Sequence, residues 1–370
     1  MTLSLDNIQW DGLFPPSASQ HDPSEFAGLV AGRSILVTGA GGSIGAALGR
    51  VIHELKPQTL VLLDSSEQNL YHIHCDLSAL SGATRIVPVI GSVADERCLR
   101  DLFERYRPEI IYHAAALKHV PLGEMNPFAV VRNNVFGTST AAVIAQEFLA
   151  ERLIMISTDK AVNPFSIMGA CKRLAELVLL GMGDARTRMN SIRLGNVLGS
   201  EGSVVPLFLE QIARSGPVTV TDPEVERYFL TMQETVHRVL AAAASCPAES
   251  AIAIPLMGQP VKIADLAQYL IAQAAATGVS IAFTGLRPGD KLHEEFVSQR
   301  ETISDKIGHG LQWVRSPRLS ESELEAGLAE LDAGMRELDL DKLLDTLTRL
   351  VPEYQPSAYL QSQVDRRPPK

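Results

Sequence analysis

Two groups of residues in this sequence have the types and spacing to do chemistry. In the first, Gly39, Gly42 and Gly45 recur at every third position of Thr38-Gly39-Ala40-Gly41-Gly42-Ser43-Ile44-Gly45. A tight turn without Cβ atoms can bring backbone N–H groups and a helix N-terminus against a pyrophosphate. Asp64 follows about 20 residues beyond Gly45, where a carboxylate accepts from the ribose hydroxyls of a dinucleotide and repels a 2′-phosphate. That pairing favours NAD over NADP. In the second group, Thr158-Asp159-Lys160 offers an acid, a base and a hydroxyl side by side. Met168-Gly-Ala-Cys-Lys172 follows shortly after and adds a second lysine.

Such residues need elements to hold them. Ser34-Ile-Leu-Val-Thr38 reads as a short buried strand, and the pattern from the glycines to about Leu55 reads as a helix. Thr59–Leu63, Arg85–Val89, Glu109–His113 and Leu153–Ile156 read as further strands, with a helix over about Glu67–Leu80. Short apolar runs alternating with helices predict βαβ units and an α/β fold with a doubly wound, Rossmann-type parallel sheet. Ligands then bind at the C-terminal ends of the strands, where both groups lie. Thr and Asp are also ordinary helix caps, so position alone does not make Thr158 and Asp159 catalytic.

The domain expectation is an N-terminal arm or short helical lead-in over 1–30 and a dinucleotide-binding domain over 31–195, with 226–256 returning to it. A smaller substrate-side region occupies 196–225 and 257–317. Residues 318–370 supply C-terminal helices, and the Pro-rich tail from 352 is expected to fray.

The chain resembles the bacterial polysaccharide-biosynthesis nucleotide-sugar 4,6-dehydratases, which are extended short-chain dehydrogenases/reductases similar to UDP-N-acetylglucosamine 4,6-dehydratase. The matching stretches run in order from TGAGGSIG and LLDSSEQNLY through HAAALKHVPL, NNVFGT, STDKAVNP and MGACKRLAE. They continue with IRLGNVLGSEGSVVPLF, RYFLT, GLRPGDKLHEE and LVPEY. The wider superfamily carries Tyr-x-x-x-Lys where this chain has Met168 and Lys172. A thioether cannot exchange a proton, so Met168 argues against a simple alcohol dehydrogenase or 4-epimerase. Long members of the family carry an N-terminal membrane region, and we expect none here.

The resemblance implies NAD-dependent loss of water from a UDP-N-acetylhexosamine, with UDP-N-acetylglucosamine the first choice. C4 is oxidised, water leaves across C5 and C6, and C6 is reduced, with retention expected at C5. It assigns Asp159 as acid, Lys160 as base, Thr158 near the sugar O4, and Lys172 to the nicotinamide ribose. Lys160 should be neutral, its pKa lowered by desolvation, Lys172 and the cofactor. Cofactor contacts fall to Gly39, Gly42, Ser43, Ile44, Gly45, Asp64, Ser92, Val93, Ala114 and Ala115. Substrate contacts fall to Lys118, His119, Asn196, Val205, Arg227, Arg287 and Glu294, with the two arginines near the diphosphate. Ser92 stands where an Asp is common near the adenine. Gly123, Phe165 and His293 also depart from the pattern, and Phe165 sits between the two catalytic clusters. A C5-inverting dehydratase or an epimerase is the alternative on this scaffold. A non-catalytic NAD-binding regulator is the alternative of another class, but a regulator needs no proton-transfer residues.

Composition bounds these readings. Of 370 residues, 46% are hydrophobic, and a net charge of −10 with scattered basic residues excludes nucleic acid as a partner. No uncharged apolar run reaches the about 18 residues of a membrane span. The four cysteines have no Cys-x-x-Cys spacing, so neither zinc nor a disulfide framework is expected. The N-terminal stretch has no basic and apolar leader pattern, and we expect a cytoplasmic protein. Relatives self-associate through helices, so a homo-oligomer is expected.

Overall fold

Short runs of β-branched and leucine side chains with no polar face must be covered on both sides, and they form the centre of a sheet. The computed structural model describes residues 5–14, 22–182 and 186–365. Its main sheet is built from β1 (Ser34–Thr38), β2 (Thr59–Asp64), β3 (Arg85–Ile90), β4 (Ile110–His113), β5 (Arg152–Thr158), β6 (Arg188–Leu194), β7 (Ile252–Pro255), β8 (Thr302–Ile307) and β9 (Leu311–Arg315). The strand order is β8-β9-β7-β6-β5-β4-β1-β2-β3. Strands β1 to β7 pair in parallel, and β9 joins β7 antiparallel. This is the doubly wound arrangement. The order reverses between β1 and β4, and the crevice at their C-terminal ends is where such sheets take ligands.

Helices cover both faces. Ser43–Glu54 and Met232–Ala244 bury Leu48, Ile52, Val239 and Leu240 against one face. Glu96–Tyr106, Gly137–Glu147 and part of Ile167–Met182 cover the other through Leu99, Phe103, Ile144 and Leu179. A separate core unites Val205, Phe208, Val218, Val220, Ile263, Leu266 and Leu270. Small strands tie that region together: Val218–Val220 pairs with Ile281–Phe283, and Glu226–Arg227 pairs with Val261–Lys262.

Of the expectations for the ends of the chain, that for the tail needs correction. Over its described residues the N-terminal stretch forms short helical turns. Ile8 is buried in the smaller core, Trp10 and Phe14 stack toward Phe229, and Phe26 is buried in the main one. The tail from 352 does not fray over its described part. Tyr354 and Leu360 are buried, Gln355 donates its backbone N–H to the Pro164 carbonyl (3.0 Å), and Ala358–Asp365 is helical. Its prolines stop regular structure but do not stop packing. No helix among the described residues is long and apolar enough to cross a membrane.

Candidate active site

The glycine-rich turn closes β1 onto the helix Ser43–Glu54. Gly39 has a φ of +64°, and a Cβ there would stand 2.7 Å from the backbone of Ala115 at the end of β4. At Gly45 a Cβ would stand 2.0 Å from the Gly39 carbonyl oxygen. Only glycine allows these approaches, and the result is a backbone cradle at the crevice. Asp64 ends β2 and accepts from the backbone N–H of Gly41 and of Ser66, both at 2.8 Å. These bonds aim the carboxylate at the cradle. Ser43, Ile44 and Ala114 border the same turn in partly buried positions. Ser92 is turned inward, its hydroxyl accepting from the Ala94 N–H at 3.2 Å, and Val93 is buried. This cradle, with its helix N-terminus and fixed carboxylate, fits a dinucleotide.

The second group forms around the end of β5. Thr158 Oγ1 donates to Asp159 Oδ1 (2.9 Å) and accepts from the Lys160 backbone N–H (3.4 Å). Lys160 Nζ donates to Asp159 Oδ1 (2.9 Å) and to Asn196 Oδ1 (3.1 Å), and lies 3.9 Å from Glu294. The Asp159 side chain is fully buried, and its Oδ2 has no hydrogen-bond partner among the described residues. A buried carboxylate oxygen in that condition is costly, so its natural complement is a donor brought by a ligand.

The expectation of a lowered Lys160 pKa needs correction. Burial does disfavour its charge, but Asp159 and Glu294 outweigh burial and the Arg227 charge, and the net displacement is upward. Lys160 rests as a cation in an ion pair. Lys172 behaves differently. It is buried, burial dominates over Glu176, and its pKa is pulled down to about 8. Its charge also acts on His113, which burial first and Lys172 second bring down to about 3. Neutral His113 bridges Thr38 Oγ1 (2.8 Å) and Thr138 Oγ1 (3.0 Å).

Met168 and Lys172 lie one turn apart on the helix Ile167–Met182, and both are buried. That helix approaches the Thr158–Lys160 turn closely. A Cβ on Gly169 would stand 2.3 Å from the Lys160 carbonyl oxygen. Gly169 therefore joins the two clusters, and nothing in its spacing alone marked it.

The substrate-side residues divide. Asn196, Arg227 and Glu294 gather around Lys160. Arg227 is buried and donates to the carbonyls of Glu226, Lys291 and Leu292 at 2.7, 2.7 and 3.0 Å, so most of its capacity fixes the 291–294 loop. Lys291, which the sequence reading passed over, lies 2.8 Å from both Glu294 Oε2 and the Val162 carbonyl. Lys118 donates to the Glu201 carbonyl (2.7 Å), His119 packs against Gly202, and the Glu201 N–H donates to Ser43 Oγ (3.0 Å). The 201–202 loop thus links the glycine turn to Lys118 and His119. Val205, expected to contact substrate, is instead fully buried in the smaller core, backbone included. Arg287 is 56% exposed and pairs with Asp290 at 2.8 Å, apart from the Lys160 cluster. Phe165 is 39% exposed, and His293 pairs with Glu226 (2.9 Å).

Beneath the site lies a buried ionic network that the sequence reading missed. Arg193 in β6 donates to Glu176 (2.7 and 2.9 Å) and to Glu301 (2.7 and 2.8 Å). Arg173 lies 3.1 Å from both carboxylates and donates to Glu353 (2.9 Å). Ser157, next to Thr158, donates to Glu176 (2.7 Å). The available signal was a charged residue inside the otherwise buried strand β6.

The family described as "Polysaccharide biosynthesis protein" matches residues 35–311. The chain belongs to this family. It is 42% identical over 309 residues to the Staphylococcus aureus capsular polysaccharide biosynthesis protein CapD, covering 82% of this chain and 51% of that one. It is 31% identical over 281 residues to a Campylobacter jejuni UDP-N-acetylglucosamine 4,6-dehydratase (inverting), covering 73% and 79%. The chain spans about half the length of CapD and of the probable polysaccharide biosynthesis protein EpsC of Bacillus subtilis. Among solved structures, Pen from Bacillus thuringiensis matches with a TM-score of 0.70 and 26% identity, covering 79% of this chain and 89% of that one. The dTDP-glucose 4,6-dehydratase DesIV from Streptomyces venezuelae, solved with NAD bound, matches with a TM-score of 0.60 and 21% identity, covering 70% and 86%. The polysaccharide-biosynthesis family and the Rossmann-type fold thus stand as the sequence implied. The Campylobacter relative is named as a nucleotide-sugar dehydratase, whereas CapD and EpsC are named only for polysaccharide biosynthesis.

Proposed function

We propose that this family member is an NAD-dependent 4,6-dehydratase of a UDP-N-acetylhexosamine, UDP-N-acetylglucosamine being the first substrate to test. The observation that carries this reading is the Asp159–Lys160 ion pair with the unpartnered Asp159 Oδ2 beside it. A nicotinamide cofactor held at the glycine cradle would accept the C4 hydride as the O4 proton is released, and would return hydride to C6 as a proton returns to C5. Asp64 would take the adenosine ribose and Lys172 the nicotinamide ribose.

The chain's own residues account for the elimination. Lys160 donates to Asp159 at 2.9 Å, so moving that one proton to Asp159 creates a neutral amine and a carboxylic acid together. Lys160 then takes the C5 proton, and Asp159 gives its proton to the departing C6 hydroxyl. Water leaves and the ion pair is restored, with no net change in protonation. Thr158 and Asn196 hold the pair in place. Arg227, Glu294 and Arg287 serve the nucleotide diphosphate and ribose in this reading.

The Campylobacter relative's name favours inversion at C5 as a second reading, and NMR of the product distinguishes it from retention. The main test is mass spectrometry after incubation with UDP-N-acetylglucosamine. The expected product has lost one water, and Lys160→Met abolishes that loss while still binding NAD. An isomer of unchanged mass would indicate epimerisation. Unchanged substrate across a panel of UDP-sugars, with NAD bound, would favour a regulator. Self-association and a cytoplasmic location belong to the same proposal, and sedimentation and cell fractionation read them.

A further inference from the structure

Away from the candidate active site, three side chains converge from distant parts of the chain. Glu25 lies on the short helix Pro23–Phe26, His237 on the helix Met232–Ala244, and His309 in the turn between β8 and β9. One oxygen of Glu25 contacts His237 Nε2, and the other lies 3.1 Å from His309 Nδ1. A ligand atom from each of the three lies within 4.8 Å of the others. Phe26 packs on both imidazoles, with ring centroids at 5.1 and 5.4 Å. His237 is buried, and His309 holds a φ of +62°, a conformation a histidine adopts at a cost.

We propose that Glu25, His237 and His309 bind a divalent transition metal of the zinc class, with a water as fourth ligand. Two imidazole nitrogens and a carboxylate oxygen form a donor set that zinc takes at about 2.0–2.2 Å. Tetrahedral donors at that length lie about 3.3 Å apart, so atoms now within 4.8 Å of one another must shift by up to about 1.5 Å to close on an ion. Calcium and magnesium prefer all-oxygen cages and are disfavoured here. Arg238 lies against Gly310 and opposes a cation, so affinity rests on the donor set and not on the surrounding field. Glu25 and His237 are separated by 212 positions, and no local spacing could have announced the site. This departs from the expectation of no metal, which rested on cysteine spacing. The ion would fasten the N-terminal segment to the helix and to the edge hairpin of the sheet.

The full chain, stripped with EDTA, is titrated with Zn²⁺ against a chromophoric chelator. One equivalent is expected with a Kd below about 1 μM, together with a rise in Tm. Co²⁺ in its place should give the visible bands of a nitrogen- and oxygen-ligated tetrahedral ion. Glu25 and His309 are exposed, so Glu25→Gln and His309→Ala should fold, as circular dichroism would verify. Each should weaken binding by more than the about tenfold that even an outer-shell partner is worth. Absence of stoichiometric binding overturns the proposal. So does equal binding by both variants, which would point to a surface thiol such as Cys75. If His309→Ala does not fold, Glu25→Gln and the cobalt spectrum decide on their own.

Discussion

At the scale of single residues, the site works through charges whose values depend on their neighbours. Asp159 and Glu294 hold Lys160 protonated against the pull of burial. The proposed catalytic pair therefore keeps its shared proton to high pH. Glu294→Gln removes one of the raising influences, and the alkaline limb of kcat against pH should move to lower pH. The effect is read on kcat so that substrate affinity does not enter. Lys172, near pKa 8, has the opposite sign. As pH rises through about 8 it loses the charge with which it would hold the cofactor, so NAD affinity should weaken there. Lys172→Arg should flatten that dependence, measured by NAD titration from pH 7 to 9. Residue types and order made Thr158, Asp159 and Lys160 legible. The direction of the Lys160 shift was not, because it turns on an ion pair with the neighbouring Asp159, which only the folded geometry fixes, and on Glu294 brought from far along the chain.

At the scale of elements, the end of β5, the helix Ile167–Met182 and the 296–301 loop are locked by Arg193, Arg173, Glu176 and Glu301. Burial alone would raise the Glu301 pKa, but Arg193 and Arg173 bring it down to about 2. A depressed carboxyl contributes stability that is complete above its unfolded value near 4.5 and is lost as pH falls through about 2. At neutral pH, Glu301→Gln leaves Arg193 buried and underpaired and should cost about 3–5 kcal/mol in urea unfolding. Gly169→Ala tests the other joint. Its Cβ must displace the Lys160 carbonyl, so kcat should fall with little change in NAD affinity. The alternating βα rhythm was legible because each unit is local. The hairpin of β8 and β9 was missed because its strands pair only with each other and with β7, and its Gly308-His309-Gly310 turn was not weighed as a hairpin signal.

At the scale of the molecule, the two ends of the chain hold its middle. Glu124 accepts from the Ile167 N–H (2.8 Å) at the start of the helix Ile167–Met182, and its other oxygen receives the Ser357 hydroxyl. Removing residues 352–365 should lower Tm and raise KM, because Tyr354, Leu360 and the Pro164 contact are lost together. A retained Tm in that truncation would refute the structural role of the tail. Composition suggested a Pro-rich fringe there, since proline content reports broken helices and not buried side chains. The same arrangement governs the order in which a newly made chain matures. Arg173 and Glu353 are 180 positions apart, roughly ten seconds or more of ribosomal travel at about 5–20 residues per second. During that interval Arg173 has Glu176 on its own helix and later Glu301, but not Glu353. A nascent chain halted before Glu353 should remain protease-sensitive around residue 165, and emergence of the next few residues should close it.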